Sequence, residues 1–281
     1  MSCSMKKLCY IILAIPVILV ANPSNTLPDR KTDAKKANIS VEKFNPEQYP
    51  FGIGFAGIFS PNPYKETDPT ILPVPVISYK GEDLTLNGPY VSYRFFHTQH
   101  SASAVQLFLY PEVFKADKSN DPELRQLDNR NYLFMLGLNQ SFENRYGAIS
   151  LGANFDITTR TNGYLLSAEY NKKFFLPVSQ RFLFFVTPSL GATYSSQKIT
   201  NYFYGISTSE ASRSGLPEYN TSGALSPYLG LNILINVSKR WNIFAATRLN
   251  RLPDQIYDSP MVSQRYIFTT VLSFTYNFNL S

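Results

Sequence analysis

Strict alternation of apolar and polar side chains marks the last stretch of the chain, VLSFTYNFNLS. One face of this extended stretch carries Leu272, Phe274, Tyr276 and Phe278, and the other carries Val271, Ser273, Thr275 and Asn277. A soluble sheet would bury the aromatic face and expose the polar face to water. A membrane barrel would turn the aromatic face toward lipid and the small polar face toward its interior.

The same two-residue period recurs from Phe51 onward, in runs that turn residues separate. Examples are FGIGFAGIFS, RYGAISLGANFDI, RFLFFVTPSLGATYS and PYLGLNILINV, each with one apolar face and one face dominated by glycine, hydroxyl and amide side chains. Most runs reach the roughly nine to eleven residues that a tilted membrane-spanning strand needs, whereas soluble strands usually have about five or six. The pattern predicts spanning strands around a narrow polar interior, with a soluble β-sandwich as the alternative.

Connections of two lengths separate these runs. Short ones such as ENR (143–145) and SKR (238–240) alternate with long ones at 115–130, 196–221 and 251–264. Outer-membrane barrels typically have short periplasmic turns and longer extracellular loops. We therefore predict an all-β protein, a closed antiparallel transmembrane β-barrel. Trp241 follows a short turn, so we expect it at the periplasmic membrane boundary, where its ring can face lipid and its N–H water.

The number of strands is harder to derive from the alternation. Eleven candidate strands can be counted, but a barrel with both chain ends in the periplasm needs an even number. The stretch EDLTLNGPYVSYRFF is the suspect, because Gly88 and Pro89 interrupt it and proline removes a donor from the ladder. The prediction is therefore twelve strands, with ten as the alternative.

The beginning of the chain predicts export. Residues 1–21 have the parts of a secretory signal peptide, with Lys6 and Lys7 before an apolar core at 8–20 and Ala21 before the cut; an uncleaved membrane anchor is the alternative. Residues 22–50 are polar, lysine-rich and proline-bearing, which predicts a disordered basic periplasmic leader. Residues 51–281 are assigned to the barrel.

Composition narrows the classes of function. Cys3 and Cys9 lie in the signal, so the mature chain has no cysteine for a disulfide framework, a thiolate metal site or a nucleophile. The only histidines, His97 and His100, have no third ligand beside them, so we predict neither a metal site nor a histidine-dependent hydrolase. No cofactor motif is found, and we predict a non-enzymatic protein. The net charge is +6, and export makes anionic lipid or cell-wall polymer a better neighbour for the basic leader than nucleic acid; a solvated tail is the favoured interpretation.

The alternation also places charged side chains inside the predicted barrel. We expect a lumen charge network of Arg94, Glu112, Asp156, Glu169 and Arg248. Buried charges need partners, so at least one arginine–carboxylate contact across the interior is predicted. Such a network could line a selective pore, or it could fill a barrel too narrow to conduct much; the second interpretation is favoured.

Three loop segments carry a resemblance to a known family. The first segment, YGISTSEASRSGLPEY, supplies Tyr204, Gly205, Ala211, Ser214, Gly215, Leu216, Pro217 and Tyr219. The second, RLPDQIYDSPMV, supplies Arg251, Leu252, Asp254, Asp258, Ser259, Pro260 and Val262, and the third, near the start, supplies Tyr64, Asp68, Leu72, Pro73 and Pro75. In this order they resemble the loop motifs of the MipA/OmpV family of outer-membrane proteins. The chain departs from the family in adding Asn279, Leu280 and Ser281 after its last aromatic residue.

The resemblance implies a non-enzymatic role in the bacterial outer membrane, in contact with its lipid. The family's namesake brings a lytic transglycosylase together with a peptidoglycan synthase, so the expected function is that of a scaffold for cell-wall enzymes. A narrow channel for small solutes and a surface adhesin are the alternatives. Packing of the loop motifs over the barrel mouth is favoured over direct partner contact.

Overall fold

The computed structural model describes residues 49–176 and 182–279. The predicted signal (1–21) and all but the last two residues of the predicted leader (22–50) lie outside the described residues. No helix in the described part of the chain is long and apolar enough to cross a membrane.

Twelve antiparallel strands form one closed sheet, which confirms the predicted fold class. Each strand pairs with its neighbours along the chain, and the last strand pairs with the first. The strands are β1 (Phe51–Ser60), β2 (Thr70–Lys80), β3 (Leu84–Asn87), β4 (Tyr90–His97), β5 (Ser101–Tyr110), β6 (Leu133–Asn144), β7 (Gly147–Asp156), β8 (Tyr164–Asn171 and Phe174–Leu176), β9 (Leu183–Ser195), β10 (Ala224–Asn236), β11 (Trp241–Arg251) and β12 (Tyr266–Phe278).

The count of eleven strands was one short for an identifiable reason. The suspect stretch folds as a small hairpin, β3–β4, that turns at Gly88 and Pro89, with Gly88 at a φ of 55° that favours glycine. A second irregularity divides β8 at Lys172 and Lys173 without ending it, because β9 continues as its partner on both sides. Pro188 lies opposite this division and has no N–H to donate, which accounts for the local break in the ladder.

The two faces of the sheet follow the predicted alternation. Large apolar side chains on the outward face are strongly exposed, among them Phe55 (73%), Ile71 (75%) and Leu272 (57%). The inward face carries small and polar residues, and the Gln106 amide Nε2 on β5 donates to Asn154 Oδ1 on β7 at 2.7 Å, across the intervening strand β6. The aromatic side of the final strand therefore points away from the barrel interior, as expected of a strand that contacts lipid.

The two ends of the barrel differ in the length of their connections. One end, the long-loop end, carries segments 61–69, 111–132, 157–163, 196–223 and 252–265. The other, the short-turn end, carries 81–83, 98–100, 145–146 and 237–240, together with the start of β1 and the end of β12. The long segments contain helices α1 (Gln197–Tyr204), α2 (Thr208–Ser214) and α3 (Asp254–Tyr257) and two short 3₁₀ helices, Ala116–Lys118 and Leu124–Gln126.

Candidate functional site

Four of the long segments pack together over the mouth of the barrel. We call 61–69, 111–132, 196–223 and 252–265 the outer cap. Its buried apolar side chains include Tyr64, Phe114, Leu124, Leu127, Ile199, Phe203, Tyr204, Ile206, Leu216, Ile256, Met261 and Val262. They form one core with inward residues at the top of the strands, namely Tyr90, Phe108, Leu133, Met135 and Leu165. A hydrophobic core therefore fills the mouth of the barrel at this end.

The carbonyl groups of Phe203 and Tyr204, at the end of α1, join the loops of the cap. The Tyr64 hydroxyl donates to the Phe203 carbonyl at 3.3 Å, and the Ser259 hydroxyl donates to the Tyr204 carbonyl at 2.7 Å. Both hydrogen bonds are buried. Two segments far apart in the sequence, 61–69 and 252–265, are thus held to the same helix end.

Local sequence explains how α2 begins and ends. Ser207 and Glu210 form a reciprocal capping box at its start, and Gly215 ends it with a φ of 79°. Leu216, directly after this glycine, is buried in the core of the cap. Pro217 follows on the surface, and Ile206 and Tyr219 form an isolated β-bridge beyond it.

The second family segment lies at the rim of the cap. Asp258 follows α3, and the Ser259 side chain reaches the buried Tyr204 carbonyl as described above. Pro260 is partly buried and Arg251 is exposed at the end of β11. The motif residues thus stand in or around the packed cap, with Ser259 and Leu216 inside it.

One buried ion pair, which sequence reasoning missed, holds two cap segments together. Arg130 Nη2 lies 2.7 Å from Glu210 Oε1, and the same guanidinium donates to the carbonyls of Gly205 (3.2 Å) and Asp128 (2.6 Å). Burial raises the pKa of Glu210, but hydrogen bonds from the amides of Ser207 and Asp128 and from Arg130 outweigh it, so the pKa lies below its ordinary value. The S-x-x-E pattern of the capping box was the available sequence signal.

The five charges predicted to form a lumen network are distributed among separate sites. Asp156 accepts hydrogen bonds from Thr158 and Thr161, so it shapes the adjoining 157–163 connection. Arg94 pairs with Asp83 at 3.3 Å near the short-turn end. The expectation of a single network is therefore wrong, because nearer backbone and side-chain partners satisfy these two groups.

Glu169 and Arg248 approach each other only through Tyr228. The Tyr228 hydroxyl donates to Glu169 Oε2 at 2.8 Å, and the Arg248 guanidinium lies over the Tyr228 ring, 3.3 Å from its centre. Arg248 also donates to Asn250 Oδ1 at 2.9 Å. Among the described residues, no ion pair joins Arg248 to Glu112, Asp156 or Glu169.

Glu112 lies at the junction of the barrel and the cap, directly after β5. Tyr110 donates to one carboxylate oxygen at 3.1 Å, and Tyr204 donates to the other. Burial raises the pKa of Glu112 to about 7, and the two hydrogen bonds limit that rise. Its partners are therefore hydroxyl groups rather than the arginines expected from the sequence.

The short-turn end presents basic and aromatic side chains. Trp241 stands there at the start of β11 and stacks on Phe274, with ring centres 4.7 Å apart. Arg240, in the same turn, donates to the Tyr276 hydroxyl at 2.7 Å, and Arg145 lies over the ring of Tyr146. Such pairs suit a boundary between lipid and water.

The two histidines, His97 and His100, lie close together at the short-turn end of the barrel. His97 Nδ1 lies 3.9 Å from Asp83 Oδ1, and His100 occupies the adjacent turn. Throughout residues 49–176 and 182–279, no three His, Cys, Asp or Glu side chains gather as metal ligands would.

Comparisons with known proteins identify relatives along almost the whole barrel. The profile of the family described as "MltA-interacting protein MipA" matches residues 53–278. The "MltA-interacting protein" of Escherichia coli strain K12 is 30% identical over 228 residues, covering 81% of this chain and 90% of that protein. "Outer membrane protein OmpV" of Vibrio cholerae is 25% identical over 200 residues, covering 71% and 76%.

Solved structures add a more distant likeness. A monoaromatic hydrocarbon channel, CymD, aligns over 84% of this chain and 92% of its own, with 9% identity and a TM-score of 0.35. That likeness is too low to bear on function.

Proposed function

The chain belongs to the MltA-interacting protein MipA family of outer-membrane proteins, and on that premise we propose that it is a non-enzymatic scaffold for cell-wall enzymes. The partners we propose are a lytic transglycosylase and a peptidoglycan synthase. The relative from Escherichia coli carries an interaction with MltA in its name, which supports the first of these partners.

The single observation that carries the proposal is the filled outer mouth. A barrel whose hydrophobic cap packs onto its own inward-facing strand tops is not built as an open pore. With its long loops engaged in packing, the surface that remains for soluble periplasmic partners is the short-turn end.

Charge at the short-turn end favours an acidic partner surface. Arg145, Lys239 and Arg240 are exposed in its turns, and Lys172 lies on the outward face of β8 nearby. Charged rims of this kind speed association and select partners more than they add affinity. We therefore place the docking surface at the turns 145–146 and 237–240.

Cross-linked envelopes provide the test. We expect the wild-type chain to co-purify with a lytic transglycosylase, and the Lys239→Glu/Arg240→Glu variant to recover about tenfold less of it. The matched control, Lys118→Glu/Lys198→Glu, makes the same charge change on the cap and should recover as much as wild type. Heat-dependent migration on a gel verifies that each variant has assembled. Failure of the wild type to recover any cell-wall enzyme would sink the scaffold proposal.

A narrow channel remains the second candidate, because the inward face is polar and Arg248 stands on it beside Tyr228. Conductance across planar bilayers separates the two functions. Stepwise openings that change in Arg248→Ala would favour the channel, whereas silence with retained enzyme recovery would favour the scaffold.

A further inference from the structure

Strand β2 is paired along only part of one edge. It pairs with β1 from Thr70 to Tyr79, but with β3 only from Ser78 to Lys80. Among the described residues, no strand pairs with the remainder of β2 on the β3 side. In the described part of the chain, the barrel wall therefore has a gap beside residues 70–76 of β2, the part of this strand nearer the long-loop end.

The prolines of β2 have their backbone nitrogen atoms on the side of this gap. Gly88 N donates to the Ile77 carbonyl on the β3 side, and in an antiparallel strand alternate residues direct their backbone groups to the same side. Pro73 and Pro75 therefore have their missing N–H groups on the unpaired edge, where no ladder bond is lost. This explains the Pro-x-Pro motif physically. It also argues against a second copy of the chain adding a strand here, since the edge lacks two donors.

Ordered structure surrounds the gap on its other sides. The β3–β4 turn at Gly88 closes it below, and β4 joins β5 where Tyr90 pairs with Phe108. Above it, Asn120 N donates to the Glu66 carbonyl at 2.8 Å. The free edge of β2 is about 20 Å long at the usual rise of a strand.

The inner wall beside the gap is apolar, unlike the polar lining elsewhere. Ala56, Ile58, Val74, Val76 and Val271 pack together on the inward face of β1, β2 and β12. We call these five residues the inner patch. Ile71 and Ile77, on the outward face of the same strand, are 75% and 65% exposed. Apolar side chains thus flank the free edge on both faces of β2, exposed on the outside and buried on the inside.

We propose that this gap is a lateral window in which one acyl chain of a membrane lipid lies along the free edge of β2 and contacts the inner patch. An acyl chain has no hydrogen-bonding needs, so it can lie beside an edge that two prolines have stripped of donors. An extended acyl chain can follow the free edge for about 20 Å, whereas a polar solute would meet only valine, isoleucine and alanine in the inner patch.

Single-tryptophan variants test the window in bilayers of phospholipid with brominated acyl chains. In a Trp241→Phe background, Val76→Trp reports from the inner patch, Ile77→Trp from the lipid-facing side, and Ser150→Trp from a buried inward position on β7, away from the inner patch. Heat-dependent gel migration selects the variants that assemble.

We expect bromine to quench about half of the Val76→Trp fluorescence, close to the loss in Ile77→Trp, and to leave Ser150→Trp unquenched. Adding Ala56→Phe, which fills the inner patch, should restore the signal at position 76 without changing that at 77. If position 76 is as protected as position 150, no acyl chain enters and the proposal fails. Quenching by an added brominated fatty acid alone, without quenching by bilayer lipid, would also overturn it.

Discussion

The cap is expected to loosen as pH rises, because it encloses the Glu112 carboxyl group. The pKa of Glu112 rises from 4.5 to about 7 in the folded chain, so the closed cap binds this proton more tightly than an open cap does. The stabilisation is complete below about pH 4.5 and is lost as pH climbs through about 7.

The size of the effect follows from the pKa. The full shift corresponds to about 3 kcal/mol, and because Glu112 keeps some solvent contact we take about 2 kcal/mol, or roughly a 30-fold change in cap opening. Tyr110 and Tyr204 contact the carboxylate directly, and Tyr64 lies in the same buried group. Among the described residues, no ion pair to Glu112 would compensate its ionisation.

Hydrogen exchange in segment 196–223 measures cap opening as a protection factor, which removes the intrinsic pH dependence of exchange. For wild type we expect protection to fall roughly tenfold between about pH 5 and about pH 8, because the rest of the roughly 30-fold change takes place below pH 5. Glu112→Gln should keep high protection throughout, since its side chain cannot ionise. The control Glu123→Gln changes an exposed carboxyl in the same loop and should behave as wild type. Equal pH dependence in wild type and Glu112→Gln would refute the reasoning.

Two further variants test how the cap is held. Arg130→Met leaves Glu210 as an unpaired buried charge and should destabilise the cap by about 3 kcal/mol, seen as rapid proteolysis of the cap while heat-dependent migration of the barrel persists; Arg130→Met with Glu210→Met should recover part of the loss. Gly215→Ala places a side chain at a φ of 79° and should cost about 1–2 kcal/mol by the same proteolysis assay, whereas Gly57→Ala, with open space around it and no such φ, should leave protection unchanged.

Alternation sufficed to predict the barrel because each strand carries its own signal. A side chain such as Leu272 is exposed, and Val271 beside it is buried, as the two-residue period requires. The errors arise where backbone chemistry overrides that period. A four-residue strand, β3, is too short to show alternation, and its turn at Gly88 was visible only as an interruption.

The charged positions show a different limit. Alternation gives the face on which a side chain lies, but it gives no information about what stands opposite. Asp156 meets the threonines of its own loop, and Arg248 meets the ring of Tyr228, at positions that depend on loop geometry and strand register. Five charged residues that alternation places on the inward face therefore need not contact one another.

The cap could not be predicted from periodicity for a related reason. Its core joins Tyr64, Phe114, Phe203 and Met261, which come from four separate connections between strands. Each segment alone resembles a solvated loop, and the apolar residues form a common core only when the strands bring the segments together.

The packing of the cap also determines which end of the barrel is available to partners. Because the long loops bury their apolar residues against one another, the loop motifs can stabilise the cap without touching a ligand. On the proposed scaffold function, recognition of cell-wall enzymes would fall to the basic short-turn end, where the two proposed charge reversals act.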